Sequence, residues 1–413
     1  MTGHATTPDA TMAARASRYR LGAAVTIAEL AGDPHPVLAR LRAAEPAAWV
    51  PALNGWLVTR YDLAVAVMRD SGTFTVDDPR FSTARVVGPS MLSLDGAAHS
   101  RHRRPFADPF SRGVVHERLA GLVDGDAARL VAAVRPAGHA ELRRSIAGPL
   151  AVAAMARVLG LADIDPGTLL RWYDAIVTAV SQLSGDEAGS TDALAAGAAA
   201  FQELSESLRA APGGGLPGVA EASADGLTSA EVVSNAAVLL FGGIETTEGM
   251  ITNAAWHLLT HPGQLDLVRE DPGLLPAAVE ESLRLEPAAA VVDRYATRDV
   301  TLGEAEIGRG DLVSVSLAGA GRDPAVFAGP DQFRVRRGNA RKHLAFAHGP
   351  HFCLGAHLAR LEAEAALGAM LRLLPGLRLD PQRPSAPRGL VFRKPPALRA
   401  RWDPPAPGAA QDT

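Results

Sequence analysis

Ten residues, Phe346-Ala-His-Gly-Pro-His-Phe-Cys353-Leu-Gly355, hold the only cysteine of the chain and run straight into a helix-like stretch over 356–374. Two readings are open for such a cysteine. Most free cysteines behave as small buried hydrophobes. The other reading is an axial thiolate ligand in a loop shaped by Gly349 and Gly355, with backbone N–H groups of the following helix aimed at the sulfur. Two glycines, a proline and two histidines crowd around Cys353. A core cysteine needs none of them, whereas glycine suits a tight turn pressed against a ligand.

One cysteine excludes an intrachain disulfide framework and fits a reducing cytoplasm. With 413 residues, 47% of them hydrophobic, the chain can bury a large core. A net charge of -4 gives no sign of a nucleic-acid or anionic-membrane partner. No apolar run approaches a membrane span, and residues 1–19 lack the hydrophobic core of a secretory signal. Residues 1–20 and 404–413 are expected to be disordered, leaving 21–403 as a single domain.

The pattern is mainly helical with a minor β region. Asn54-Gly55 between apolar runs signals a hairpin. Residues 73–93 show no period and read as a long loop, often a functional feature. From 98 to 210 the spacing is almost wholly helical, with breaks at 185–190 and 213–217. Thr228-Ser-Ala-Glu231 reads as a capping box opening a long helix to about residue 259. Inside it, Phe241-Gly-Gly-Ile-Glu-Thr-Thr-Glu-Gly249 interrupts the apolar pattern. Each helical glycine costs about 1 kcal/mol relative to alanine, and small residues beside an acid and an alcohol suit a helix passing a bound ligand. A helix over 274–285 places Glu281 and Arg284 on one face. Residues 291–333 turn β-like. There is no G-x-G-x-x-G, P-loop or H-E-x-x-H motif.

Taken in order, these segments resemble the cytochrome P450 family of heme-thiolate monooxygenases. The cysteine loop matches F-G-x-G-x-H-x-C-x-G, with Ala347 where a glycine, serine or asparagine is usual. Gly243-Ile-Glu245-Thr246-Thr247 resembles the oxygen-binding groove of the family's long central helix over heme. Glu281-Ser-Leu-Arg284 matches E-x-x-R, and His99-Ser-Arg-His-Arg103 resembles H-x-x-x-R. The family's P-E-R-F motif reads Pro330-Asp-Gln-Phe333, so Gln332 or Arg334 is expected to complete the structural Glu281–Arg284 network.

The resemblance implies a single heme b, held by Phe346, Gly355 and Gly243, with Cys353 as the iron ligand. His99, Arg103, Arg294 and His351 are implied as partners of the heme carboxylates. Glu245 and Thr246 are implied as the catalytic proton relay, Glu245 passing protons from solvent and Thr246 ordering a water. Gly242 and Gly243 are expected to leave room for dioxygen. An acid at position 245 argues against a peroxide-driven peroxygenase, where an arginine is expected. The acid–alcohol pair likewise argues against a non-catalytic heme-thiolate sensor or carrier.

Substrate contacts are expected from Val86, Val87, Met91, Leu183, Ile244, Val291, Val292 and Val391, and a substrate carboxylate from Arg80 or Arg85. These residues suit a small, largely hydrophobic organic molecule, with hydroxylation as the default reaction. Electrons are expected from a ferredoxin-type donor with its reductase, docking near Arg101, Arg104, Lys342 and Arg360. The chain is expected to be a cytoplasmic monomer.

Overall fold

The computed structural model describes residues 8–183, 191–210 and 226–404. The breaks expected at 185–190 and 213–217 lie outside the described residues. The central helix, Ser229–Thr260, begins where the sequence places it. Thr228 Oγ1 accepts the Glu231 N–H at 3.2 Å, and the Glu231 carboxylate accepts the Thr228 N–H at 2.8 Å. A cap of this kind stabilises a helix by about 1 kcal/mol. The helix is buried on nearly every face, as expected where apolar residues run all round it. It packs against the helices Gly148–Val158, Leu275–Leu285 and Ala356–Leu373.

The early hairpin pairs Ala47–Val50 with Gly55–Val58. Its connection is four residues long: a 3-10 turn over Pro51–Leu53, then Asn54 in the left-handed region at φ 46°. Gly55 is therefore already in the strand, and not in a two-residue turn. It is glycine because a Cβ there would lie 2.9 Å from Leu312 Cβ on the next strand. Gly55–Val58 runs parallel to Leu312–Ser316, which pairs with Val291–Ala296, and Phe74–Thr75 forms the far edge. The minor sheet thus joins the hairpin to the strands after residue 290, as the patterning predicts.

Two expectations fail. Residues 8–18, expected to be disordered, form a helix. Its Arg15 lies 2.7 Å from Asp311 and stacks 4.7 Å from the Trp49 ring centre. These partners are nearly 300 residues away for Asp311, which is why local polarity misled. The stretch 73–93, expected as a loop, contains a strand, Phe74–Thr75, and a helix, Ser82–Val87. Six residues are too few to declare a helical period. Among the described residues, no helix is long and apolar enough to cross a membrane.

Candidate active site

The cysteine loop closes on itself. Cys353 N–H donates to Phe346 O at 2.8 Å and Phe352 N–H to Gly349 O at 3.0 Å. Gly349 has φ 73°, and a Cβ there would lie 2.6 Å from the Met68 carbonyl oxygen, so only glycine fits. Gly355 differs from its expected role. Its φ is -83° and a Cβ would meet nothing nearer than 3.8 Å, so neither the turn nor the protein packing demands it. Ala347, in the position where glycine is usual, is held at φ 58°. Phe346 is buried, with the Arg360 guanidinium 4.4 Å from its ring centre. Burial pushes the Cys353 thiol up, against the opposing pull of the Gly355 N–H, Arg103 and Arg360. Left to the protein alone, the sulfur keeps its proton.

Beside this loop lies a wall of histidine and arginine side chains drawn from three segments. His99 and Arg103 are one turn apart on the helix Gly96–Ala107. His99 is 4% exposed, and its Nε2 has no hydrogen-bond partner. Burial, then the charges of His351 and Arg103, push its pKa down to about 4. Its ring centre is 4.4 Å from that of His351. Arg103 donates to Phe352 O at 2.6 Å. Arg294, buried on the strand Val291–Ala296, donates to Asp293 O at 2.7 Å. Facing them is a carboxylate that the sequence reading missed. Asp95 Oδ1 lies 2.8 Å from His351 Nε2, and its charge also acts on His99 and Arg294. Burial raises the Asp95 carboxyl, but hydrogen bonds from His351, Thr75 and Val76 more than offset this and bring it down to about 2.

On the central helix, Thr246 Oγ1 donates to Gly242 O at 2.5 Å. A Cβ at Gly242 would meet nothing within 4 Å, whereas one at Gly243 would overlap the Met155 side chain. The open position is therefore Gly242. Gly243 serves close packing against the Gly148–Val158 helix, contrary to its expected place at the cofactor. Glu245 is not open to solvent either, being 8% exposed. Its carboxylate accepts from the Tyr173 hydroxyl and from Lys394 Nζ, the latter at 2.8 Å. Lys394 also lies 2.5 Å from Glu248, which has Arg143 at 3.0 Å. Tyr173 and Lys394 escaped the sequence reading. Lys394 did leave a trace as one of only two lysines, set beside the apolar pair Val391-Phe392.

The expected substrate residues divide. Val87, Met91 and Ile244 are buried in the main core, Val86 packs against it, Val291 and Val292 are partly buried, and Val391 is 37% exposed. The Leu183 side chain lies outside the described residues. The segment before Val291 does meet the one bearing Val391: Ala290 N–H donates to Val391 O at 2.8 Å, and Ala289 bridges to Phe392. Phe392 in turn packs edge-on against Phe241 of the central helix, 5.5 Å between ring centres. Met91 N–H is fixed to Asn235 of the same helix at 2.7 Å. Arg80 is committed elsewhere, to Asp78 and the Gly310 carbonyl, and Arg85 is exposed.

The Glu281–Arg284 pair is fully buried, with bonds of 2.7 and 2.8 Å. The residue that completes it is Arg337, whose Nε lies 2.8 Å from Glu281 Oε1. Gln332 contributes only its backbone oxygen and Arg334 only its backbone N–H. Of the expected docking cations, Arg101 pairs with Glu231 and Arg360 with Glu280, while Lys342 is exposed.

A family model for cytochrome P450 matches residues 219–397. The chain is 38% identical over 387 residues to cytochrome P450 monooxygenase PikC of Streptomyces venezuelae, covering 90% of each. It is 36% identical to nocardicin C N-oxygenase of Nocardia uniformis subsp. tsuyamanensis, covering 90% of this chain and 97% of that one. The crystal structure of CalO2 superposes with a TM-score of 0.83 at 31% identity, covering 91% of this chain and 98% of the other. At that similarity over nine tenths of its length, this chain belongs to the cytochrome P450 family.

Proposed function

We propose that Cys353 is the iron ligand of a heme b and that Thr246 and Glu245 serve its oxygen chemistry. The chain is a monooxygenase acting on a small, largely hydrophobic organic molecule. The observation that carries the site assignment is the wall beside Cys353. His99 Nε2 is buried without a partner, and the hydrogen bonds of Arg103 and Arg294 go to carbonyl oxygens. An orphaned buried ring nitrogen beside guanidinium groups bonded only to carbonyl oxygens calls for a further acceptor. Heme b brings two carboxylates to such a wall, so the residues present fit it. A metal also strips the proton from a coordinated thiol, which burial of Cys353 otherwise prevents.

Bound there, a thiolate-ligated heme supplies reductive activation of dioxygen, the sulfur favouring O–O cleavage. The chain's part is to deliver protons without admitting bulk water. Thr246, held by the Gly242 carbonyl, orders a water at the open position on the helix. Glu245 passes protons to that water when its carboxylate turns from Lys394 and Tyr173. Residues 288–292 and 390–392, with Phe241 and Met91, form the apolar side that receives the substrate. Hydroxylation is the default outcome.

Residues 8–403 act as one domain and as a monomer in the cytoplasm, with electrons from a ferredoxin-type protein and its reductase. Turnover with ferredoxin, reductase and isotope-labelled dioxygen tests this reading. One labelled oxygen atom enters the product, and Thr246→Ala diverts most reducing equivalents to hydrogen peroxide. Unchanged coupling in Thr246→Ala removes the proton role from that hydroxyl.

A further inference from the structure

Aspartate is among the most effective N-cap residues, its side chain accepting an N–H of the first helical turn. Asp95 stands at the N-cap of the helix Gly96–Ala107, in extended geometry suited to a cap, yet its carboxylate makes no cap hydrogen bond. It turns outward instead. Oδ2 accepts from Thr75 Oγ1 at 2.7 Å and Val76 N–H at 2.8 Å. Oδ1 lies 2.8 Å from His351 Nε2. A residue that forgoes its local interaction for distant ones marks a functional constraint. The distant partner here is an imidazole two positions before Cys353, tilted against the His99 ring, on the wall assigned to the heme carboxylates. With Asp95 86% and His351 93% buried at their side chains, the pair is shielded from water, where a charge-assisted bond is strongest.

We propose that Asp95 is a positioning residue of the heme site: it fixes the His351 imidazole, and through it the hold on a heme carboxylate. The same carboxylate ties that hold to residues 75–76 and to the start of the helix bearing His99 and Arg103. The inference rests on the heme-thiolate reading above. Partners one shell out from a metal group typically change its retention by about 10- to 100-fold when removed.

The test is a double-mutant cycle on the holoprotein with Asp95→Asn, His351→Ala and both together. The readouts are the rate of heme transfer to an excess of a heme-scavenging apoprotein and the midpoint potential of the heme. Asp95→Asn is expected to speed heme transfer about tenfold and to shift the potential. In the His351→Ala background it adds less than about twofold. Asp95→Ser, which offers a good helix cap but no carboxylate, is expected to lose heme as fast as Asp95→Asn. A rate and potential for Asp95→Asn matching the parent overturn the proposal. So does an equal acceleration with and without His351, or full rescue by Asp95→Ser, either of which makes Asp95 merely structural.

Should Asp95→Asn not yield holoprotein, Asp95→Glu with His351→Gln runs the same cycle: non-additivity supports the role and additivity overturns it. The carbon monoxide spectrum of the parent is recorded first. A histidine-type spectrum removes the heme-thiolate reading itself, whereas a thiolate spectrum with an additive cycle removes only the role of Asp95.

Discussion

Arg337→Ala should destabilise the protein measurably, although the family motif places the arginine at position 332. Arg337 donates to Glu281 Oε1 at 2.8 Å and to the carbonyls of Ala328, Gly329 and Gln332 at 2.7, 3.0 and 3.0 Å. Glu281 keeps Arg284 after the substitution, so the loss stays below that of a wholly broken buried pair. Removing one hydrogen bond to a buried charge costs about 1.5–3 kcal/mol. Gln332 O retains Arg284 and Gly329 O retains the Gln332 N–H, and the carbonyl of exposed Ala328 turns to water. The loss is therefore about 1.5–3 kcal/mol. With an unfolding entropy of about 2.1 cal/mol/K per residue, that is a fall in Tm of about 2–3 °C for a chain of this length. The assay is thermal unfolding of the holoprotein followed by circular dichroism and by loss of the Soret band. Gln332→Ala, whose exposed side chain reaches only Arg334, should move Tm by less than about 1 °C. A Tm for Arg337→Ala within 1 °C of the parent, or an equal fall for Gln332→Ala, refutes the reasoning.

Two further outcomes follow from backbone strain and burial. Holding Ala347 at φ 58° costs about 1–2 kcal/mol, partly offset by the smaller entropy of an unfolded alanine. Ala347→Gly should therefore stabilise by about 0.5–1 kcal/mol in denaturant titration, and a destabilised variant contradicts this. Glu362 is 1% exposed, its Oε2 has no partner, and burial holds its carboxyl well above the usual 4.5. A carboxyl raised in the folded state supports the fold while protonated. That support is lost as pH rises from about 4.5 toward the folded value. Glu362→Gln should match the parent at pH 4 and exceed it in Tm at pH 8; equal Tm values at both pH values count against the assignment.

What was legible in the sequence was whatever its own neighbours encode. The capping box at Thr228 and Glu231, the Glu281–Arg284 pair one turn apart and the closed cysteine loop are all local, and all appear in the structure. The histidines and arginines at 99, 103, 294 and 351 came from the family resemblance, and the fold brings them together. What the sequence hid was pairing across distance. Lys394 reaches Glu245 from 149 positions away, and Arg337 completes Glu281 from 56. Asp95 looks like an ordinary helix cap until His351 is seen beside it. That Gly242 alone of the expected pair is open has a similar cause. Two adjacent glycines look alike in a string, and only the neighbouring helix decides which one Met155 covers.

The central claim is that Cys353 gives a thiolate to heme iron, and carbon monoxide binding tests it most directly. The purified protein, reduced and exposed to carbon monoxide, should show the red-shifted Soret band of a thiolate-ligated heme, and Cys353→His should abolish that shift. A histidine-type spectrum from the parent, or a red-shifted band that survives Cys353→His, contradicts the account.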